Sequence, residues 1–185
     1  MPDKDDPLAS ELHETSRGGE HVLIRQLQPE DIALYRDFLS DVSAEDLRLR
    51  FFGRVAELSA AEIDRLAHLD YTHETAFIAL DEGTGRMLGL VRLQDALDEM
   101  TAEFAIMVRS RLNAHGLGWL LMRRVIVYAR EKGLRRVYGD VLAENTAMLQ
   151  MCAELGFHAL DRGSGITRVV LDLESTGGGR EGAST

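Results

Sequence analysis

Through the middle of the chain lie three largely apolar runs of strand length, broken by polar and glycine-containing stretches, and beyond them the pattern changes twice to helical spacing. The runs Ala76 to Leu80, Met87 to Leu93 and Thr101 to Val108 predict three strands, the first two joined by the turn Asp81-Glu82-Gly83-Thr84-Gly85. In the third run Ala102, Phe104, Ile106 and Val108 share one face, so Glu103 points away from the main apolar stripe. Leu117, Leu120, Leu121, Val125 and Tyr128 fall at helical spacing and predict a long helix from Trp119 to Lys132. A strand over Arg136 to Leu142, a helix over Thr146 to Leu155, and strands near Phe157 to Leu160 and Thr167 to Leu173 complete the C-terminal half. On the N-terminal side, Val22 to Arg25 predicts a first strand, Pro29 to Leu39 a helix, and Ser43 a second short helix ending near Phe51-Phe52. Ser59-Ala60-Ala61-Glu62 is a capping box opening a helix with Ile63, Leu66, Ala67 and Leu69 on its apolar face. An antiparallel meander followed by alternating helices and strands implies an α/β (α+β) domain, a mixed sheet covered by helices.

At 185 residues, with 45% hydrophobic and 28% charged residues, the chain is expected to hold one globular domain with a core of its own. Residues 1–20 read as a disordered acidic arm, 21–174 as the folded domain, and 175–185, with Gly177-Gly178-Gly179, as a flexible tail. A formal net charge of -10 argues against nucleic-acid or anionic-membrane binding, which call for a cationic surface, and suits a cationic acceptor such as an amine. With Cys152 as the single cysteine there is no intramolecular disulfide, and the N-terminus lacks a basic segment followed by an apolar one. A cytoplasmic location is the expectation. The closest histidines, His68 and His73, have no nearby cysteine, and no metal is expected.

The segment Asn113-Ala114-His115-Gly116-Leu117-Gly118 lies between the third strand and the long helix. Its glycines let backbone amides approach an anion, and the helix adds unpaired N–H groups and the positive end of its dipole, so a phosphorylated ligand is expected there. No third glycine follows, as a dinucleotide fold requires, and no Lys-Ser or Lys-Thr pair, as a P-loop requires. Glu103 lies on the order of 15 Å up the strand from this loop. A ligand spanning both needs a long linear arm, which is the shape of coenzyme A. Asn145 stands where the N-cap of the following helix belongs, and Gly156 where its left-handed C-terminal cap belongs. Cys152, mid-helix, reads as small packing, Trp119 and Tyr128 as packing or interface residues, and Arg48 and Arg50 as a solvated face beside Phe51-Phe52.

Together, the Ala-Glu-Phe-Ala-Ile-Met-Val strand, the Asn-x-x-Gly-x-Gly turn, and Glu144-Asn145-x-x-Met148 followed by Leu155-Gly156-Phe157 resemble the GNAT family of acetyl-coenzyme A dependent N-acetyltransferases. The resemblance covers nearly all of His21 to Leu173. Leu49-Arg50-Phe51-Phe52, Ala102-Glu103-Phe104 and Val141-Leu142-Ala143-Glu144-Asn145 are similar to the bacterial protein lysine acetyltransferases that modify acyl-CoA synthetases. The resemblance implies the GNAT fold, a mixed and mostly antiparallel sheet of six to seven strands with helices on both faces. It implies acetyl-CoA as cosubstrate, with pantetheine contacts at Ile106, Met107 and Val108, pyrophosphate contacts at Asn113, Ala114, His115, Gly116, Leu117 and Gly118, and a further contact at Asn145. Glu103 takes the position of the general base. Two departures stand out: Asn113 replaces a long side chain, and Cys152 stands where many members carry a tyrosine general acid. The implied acceptor is a protein lysine; a small amine, or a CoA-binding sensor without turnover, are the alternatives. A homodimer is left open.

Overall fold

The computed structural model describes residues 10–50, 72–96, 100–109, 112, 116–161 and 163–173. In chain order the strands are β1 (Leu12–Thr15), β2 (His21–Gln26), β3 (Glu74–Asp81), β4 (Met87–Asp95), β5 (Thr101–Val108), β6 (Arg136–Leu142), β7 (His158–Asp161) and β8 (Ile166–Asp172). The helices are α1 (Ile32–Ser40), preceded by a 3-10 turn at Pro29–Asp31, α2 (Ala44–Arg50), α3 (Leu117–Glu131) and α4 (Thr146–Glu154). They build one eight-stranded sheet ordered β1-β2-β3-β4-β5-β6-β8-β7, in which every neighbouring pair is antiparallel except β5 and β6.

The alternation along β5 divides the interior as the sequence implies. Ala102 and Phe104 join the core under α3 with Phe77, Val91, Leu121 and Val125, and Ile106 and Val108 pack against it. Met107, of opposite parity, belongs to the core under α1 and α2 with Tyr35, Phe38, Ile78 and Leu90. Helices thus cover both faces. Each fully buried Leu or Phe contributes about 1.5–3 kcal/mol by leaving water. Arg109, fully buried at the end of β5, pins α1 to this strand: its Nε donates to the Met87 carbonyl at 2.7 Å, its Nη2 to Asp37 at 2.6 Å, and its Nη1 to Asp41.

Three sequence expectations need correction. Residues 10–20 are not a disordered arm: Leu12–Thr15 pairs with Ile24–His21, adding an eighth strand to the six or seven expected, and the hairpin is closed by a tight turn. The signal was weak because β1 is four residues long and alternates half-buried with exposed positions. The long helix begins at Leu117, because Gly116, in the left-handed region at φ 82°, is its N-cap; Gly118 therefore lies inside the first turn rather than in a loop. Arg50 is half-buried and its guanidinium is pushed below its ordinary pKa by burial, so it is no solvated residue. Residues 1–9 and 174–185, Phe51-Phe52 and the Ser59 capping box lie outside the described residues.

Candidate active site

β5 and β6 begin side by side and then part. Their register runs Thr101 to Arg136, Ala102 to Val137 and Glu103 to Tyr138, and stops. Beyond it β5 stays paired with β4 to Val108, while β6 stays paired with β8 to Leu142. Phe104 forms the wedge. Its ring lies where a side chain at residue 139 would be, within 2.7 Å of the Cβ that Gly139 lacks, and it meets Phe157 edge to face at 5.5 Å. The glycine on β6 and the aromatic on β5 thus fix where the sheet opens.

The opening is a cleft of about 520 Å³. One wall is β5 from Glu103 to Val108, the other Asp140 and Val141 of β6 with Asn145, Met148 and Met151; Gly116, Gly118 and Trp119 close one end, and Asp46, Leu49 and Arg50 of α2 border it. Of the residues expected to form the site, Glu103, Ile106, Met107, Val108, Gly116, Gly118 and Asn145 all line this cleft. Leu117 does not: its side chain is buried in the core, which leaves its backbone amide as the group able to face a ligand. Asn113, Ala114 and His115 lie outside the described residues.

At the α3 end the chemistry favours an anion. Leu120 N–H donates to the Gly116 carbonyl at 3.2 Å, so the amides of Leu117, Gly118 and Trp119 precede the helix's own hydrogen-bonded ladder. The first turn of α3 carries no acidic side chain, and the dipole adds positive potential. Asn145 caps α4, its Oδ1 accepting from the Met148 amide at 3.2 Å, so structural capping and a place on the cleft wall coincide in one residue.

At the other end Glu103 is exposed, on the sheet face of α1 and α2, beside Tyr138 and opposite Gln94. Its charge acts on two cations, Arg50 and Arg168. Arg168 also grips Asp140 through two hydrogen bonds of 2.7 Å and lies over the Tyr138 ring at 4.6 Å; Asp140 pushes its pKa above the ordinary value. Sequence reasoning missed Asp140, Arg168 and Asp46, because their signal is the cross-strand register between β6 and β8 and the docking of α2, neither of which is local in sequence.

Cys152 is fully buried in the α3-side core, and burial pushes its thiol up to about 12. It is absent from the cleft lining, which excludes it as a proton donor to a leaving group in this arrangement. Tyr128 is core packing, edge to face with Phe77 at 5.4 Å, whereas Trp119 lines the cleft.

Residues 21–158 match the family model of an acetyltransferase (GNAT) domain. Over 141 residues the chain is 37% identical to an acetyltransferase of Pseudomonas aeruginosa, covering 75% of this chain and 76% of that one. It is 25% identical over 158 residues to the acetyltransferase Pat of Mycolicibacterium smegmatis, covering 85% of this chain and 47% of Pat, so it spans about half the length of that relative. The GNAT domain of PAT from S. lividans superposes with a TM-score of 0.81 at 25% identity, covering 88% of this chain and 97% of that domain. A spermidine N-acetyltransferase from Vibrio cholerae, solved with CoA and spermine, shares the fold at a TM-score of 0.67 and 20% identity, covering 82% and 95%.

Proposed function

Because the chain belongs to the acetyltransferase (GNAT) family, we propose that it is an acetyl-CoA dependent N-acetyltransferase acting on a protein lysine, with Glu103 as general base. The observation that carries this reading is the position of Glu103: the carboxylate stands where β5 and β6 part, in the same cleft whose far end is the carboxylate-free N-terminus of α3. The donor set fits the cosubstrate. Uncommitted amides suit a pyrophosphate, and the apolar wall of Ile106, Met107 and Val108 suits a thin pantetheine arm.

Acetyl-CoA supplies an acyl group already activated as a thioester. The protein's task is to deliver a neutral amine to it, since a lysine ammonium, with an ordinary pKa of about 10.4, is almost wholly protonated at neutral pH. Glu103, directly or through one water, accepts that proton as the nitrogen attacks the carbonyl carbon. Main-chain N–H groups on the edge of β5 that β6 leaves unpaired are the donors available to the developing oxyanion. As the adduct collapses the C–S bond breaks, the nitrogen gives up its second proton to solvent, and the departing thiolate takes one from solvent, Cys152 being buried out of reach. Asp46 and Asp140 give the acceptor side carboxylates that suit a cationic acceptor.

The same carboxylates suit a small polyamine, and that is the second reading. Incubation with labelled acetyl-CoA and a cell lysate, and separately with a panel of polyamines and amino acids, separates the two. Label on lysines of a discrete protein band is the expected result. Label in the amine panel alone transfers the assignment to a small-molecule enzyme, and CoA binding without label in either arm makes the chain a CoA-binding sensor.

A further inference from the structure

The β1–β2 hairpin lies largely ahead of the segment that the family model matches, which starts at residue 21, yet it reaches the cleft. Its turn is tied from within: the Ser16 and Gly19 amides donate to the carbonyls of Glu20 and Ser16 at 2.9 and 3.0 Å, and the Ser16 Oγ accepts from the amides of Gly18 and Glu20. This leaves Arg17 pointing out at a fixed place. Its stem packs on Gly116, with Cβ, Cγ and Cδ all 3.0–3.2 Å from where a Cβ on that glycine would stand. Its guanidinium lies 5.6 Å from the centre of the Trp119 ring, and a second guanidinium, that of Arg123, lies 4.9 Å from the same ring. Neither arginine makes an ion pair among the described residues.

Two like charges on one indole, neither held in an ion pair among the described residues, is an arrangement that an added dianion relieves. Arg17 lines the end of the cleft assigned to phosphate on other grounds, and Arg123, one turn along α3, is joined to that end through the Trp119 ring. Guanidinium groups bind phosphate oxygens through paired N–H donors, and the indole holds their planes in place. Resting on the proposed use of acetyl-CoA, we infer that Arg17, carried by the N-terminal hairpin, and Arg123 form a clamp for the phosphate groups of coenzyme A. The hairpin is thereby a specificity element for the nucleotide half of the cosubstrate rather than an inert edge of the sheet.

Titration of the whole chain, followed by calorimetry and by the fluorescence of Trp119, its single tryptophan, tests this with three ligands: CoA, 3′-dephospho-CoA and S-acetylpantetheine. Arg17→Ala is expected to weaken CoA roughly tenfold or more, to leave S-acetylpantetheine unchanged, and to flatten the dependence of affinity on salt. Arg17→Lys recovers part of the affinity, and Arg123→Ala shows a loss of the same kind. A loss that persists with 3′-dephospho-CoA supports a clamp on the pyrophosphate; a loss confined to CoA supports a clamp on the 3′-phosphate. Equal CoA affinity for wild type and Arg17→Ala overturns the inference, as does an equal loss for all three ligands, which would mark a disturbed hairpin. Failure of the wild type to bind CoA at all would instead sink the acetyl-CoA reading itself.

Discussion

The two ends of the cleft are built by opposite means. At the α3 end the charge is supplied by backbone and by arginines: a helix N-terminus with no acidic first turn, a left-handed glycine cap, and guanidiniums of Arg17 and Arg123 on Trp119. At the β5–β6 fork it is supplied by carboxylates, Glu103, Asp46 and Asp140, held among Arg50 and Arg168. One end suits an anion at rest, and the other suits a cation that must lose a proton. A single opening in one sheet can therefore hold two ligands of opposite sign, provided the fork sets them an arm's length apart.

The largest effect is expected at the carboxylate end. Glu103→Gln keeps the shape and removes the proposed base, so kcat should fall by about 10²–10⁴-fold with acetyl-CoA affinity unchanged. Steady-state kinetics with the identified acceptor, paired with calorimetry, checks both halves; an unaltered kcat removes Glu103 from the mechanism. Gly116→Val attacks the opposite end. A β-branched residue at φ 82° is strained and strikes Arg17, so CoA affinity should drop roughly tenfold while turnover at saturating cosubstrate persists.

Asp140→Asn tests whether the acceptor side works by charge. Arg168 would lose its bidentate partner and Glu103 would face a less neutralised cation, so KM for the acceptor should rise severalfold with kcat little changed. The smallest effect belongs to Cys152. Cys152→Ala should leave kcat within about twofold, because the thiol lies off the cleft. The raised folded-state pKa means the thiol adds stability that is fully present below its ordinary value of 9.0 and is lost as pH rises toward about 12. Unfolding followed by denaturant from pH 8 to 11 should therefore fall less steeply with pH for Cys152→Ala than for wild type.

What the sequence disclosed follows the range of the forces involved. Period-two alternation placed Glu103 on the face opposite Phe104 because a strand's two faces are set by its own residues, and Gly156 was readable as a left-handed cap because its φ of 91° is a local demand. β1 escaped notice because a four-residue edge strand has little burial of its own and is stabilised by its partner. Arg50 resists reading from sequence for a related reason: a helix of seven residues does not announce which of its arginines another element will cover. The pairing of Arg168 with Asp140 and the meeting of Arg17 with Gly116 join residues distant in sequence, and such contacts exist only once the sheet order is known.

The wedge of Phe104 against Gly139 carries a dynamic consequence. Beyond Glu103 the inner edge of β5 is held by no neighbouring strand, so its amides on that side are open to solvent exchange in a way those facing β4 are not. An elongated ligand lying in the fork takes the position a ninth strand would occupy and shields them. Hydrogen exchange of the Ile106 and Val108 amides, which face the fork because those of Ala105, Met107 and Arg109 face β4, should thus slow on saturation with acetyl-CoA, while the β3–β4 ladder, already complete, keeps its rates. The sheet is in this sense left one element short, and under the proposed reading the cosubstrate completes it for the length of each catalytic cycle.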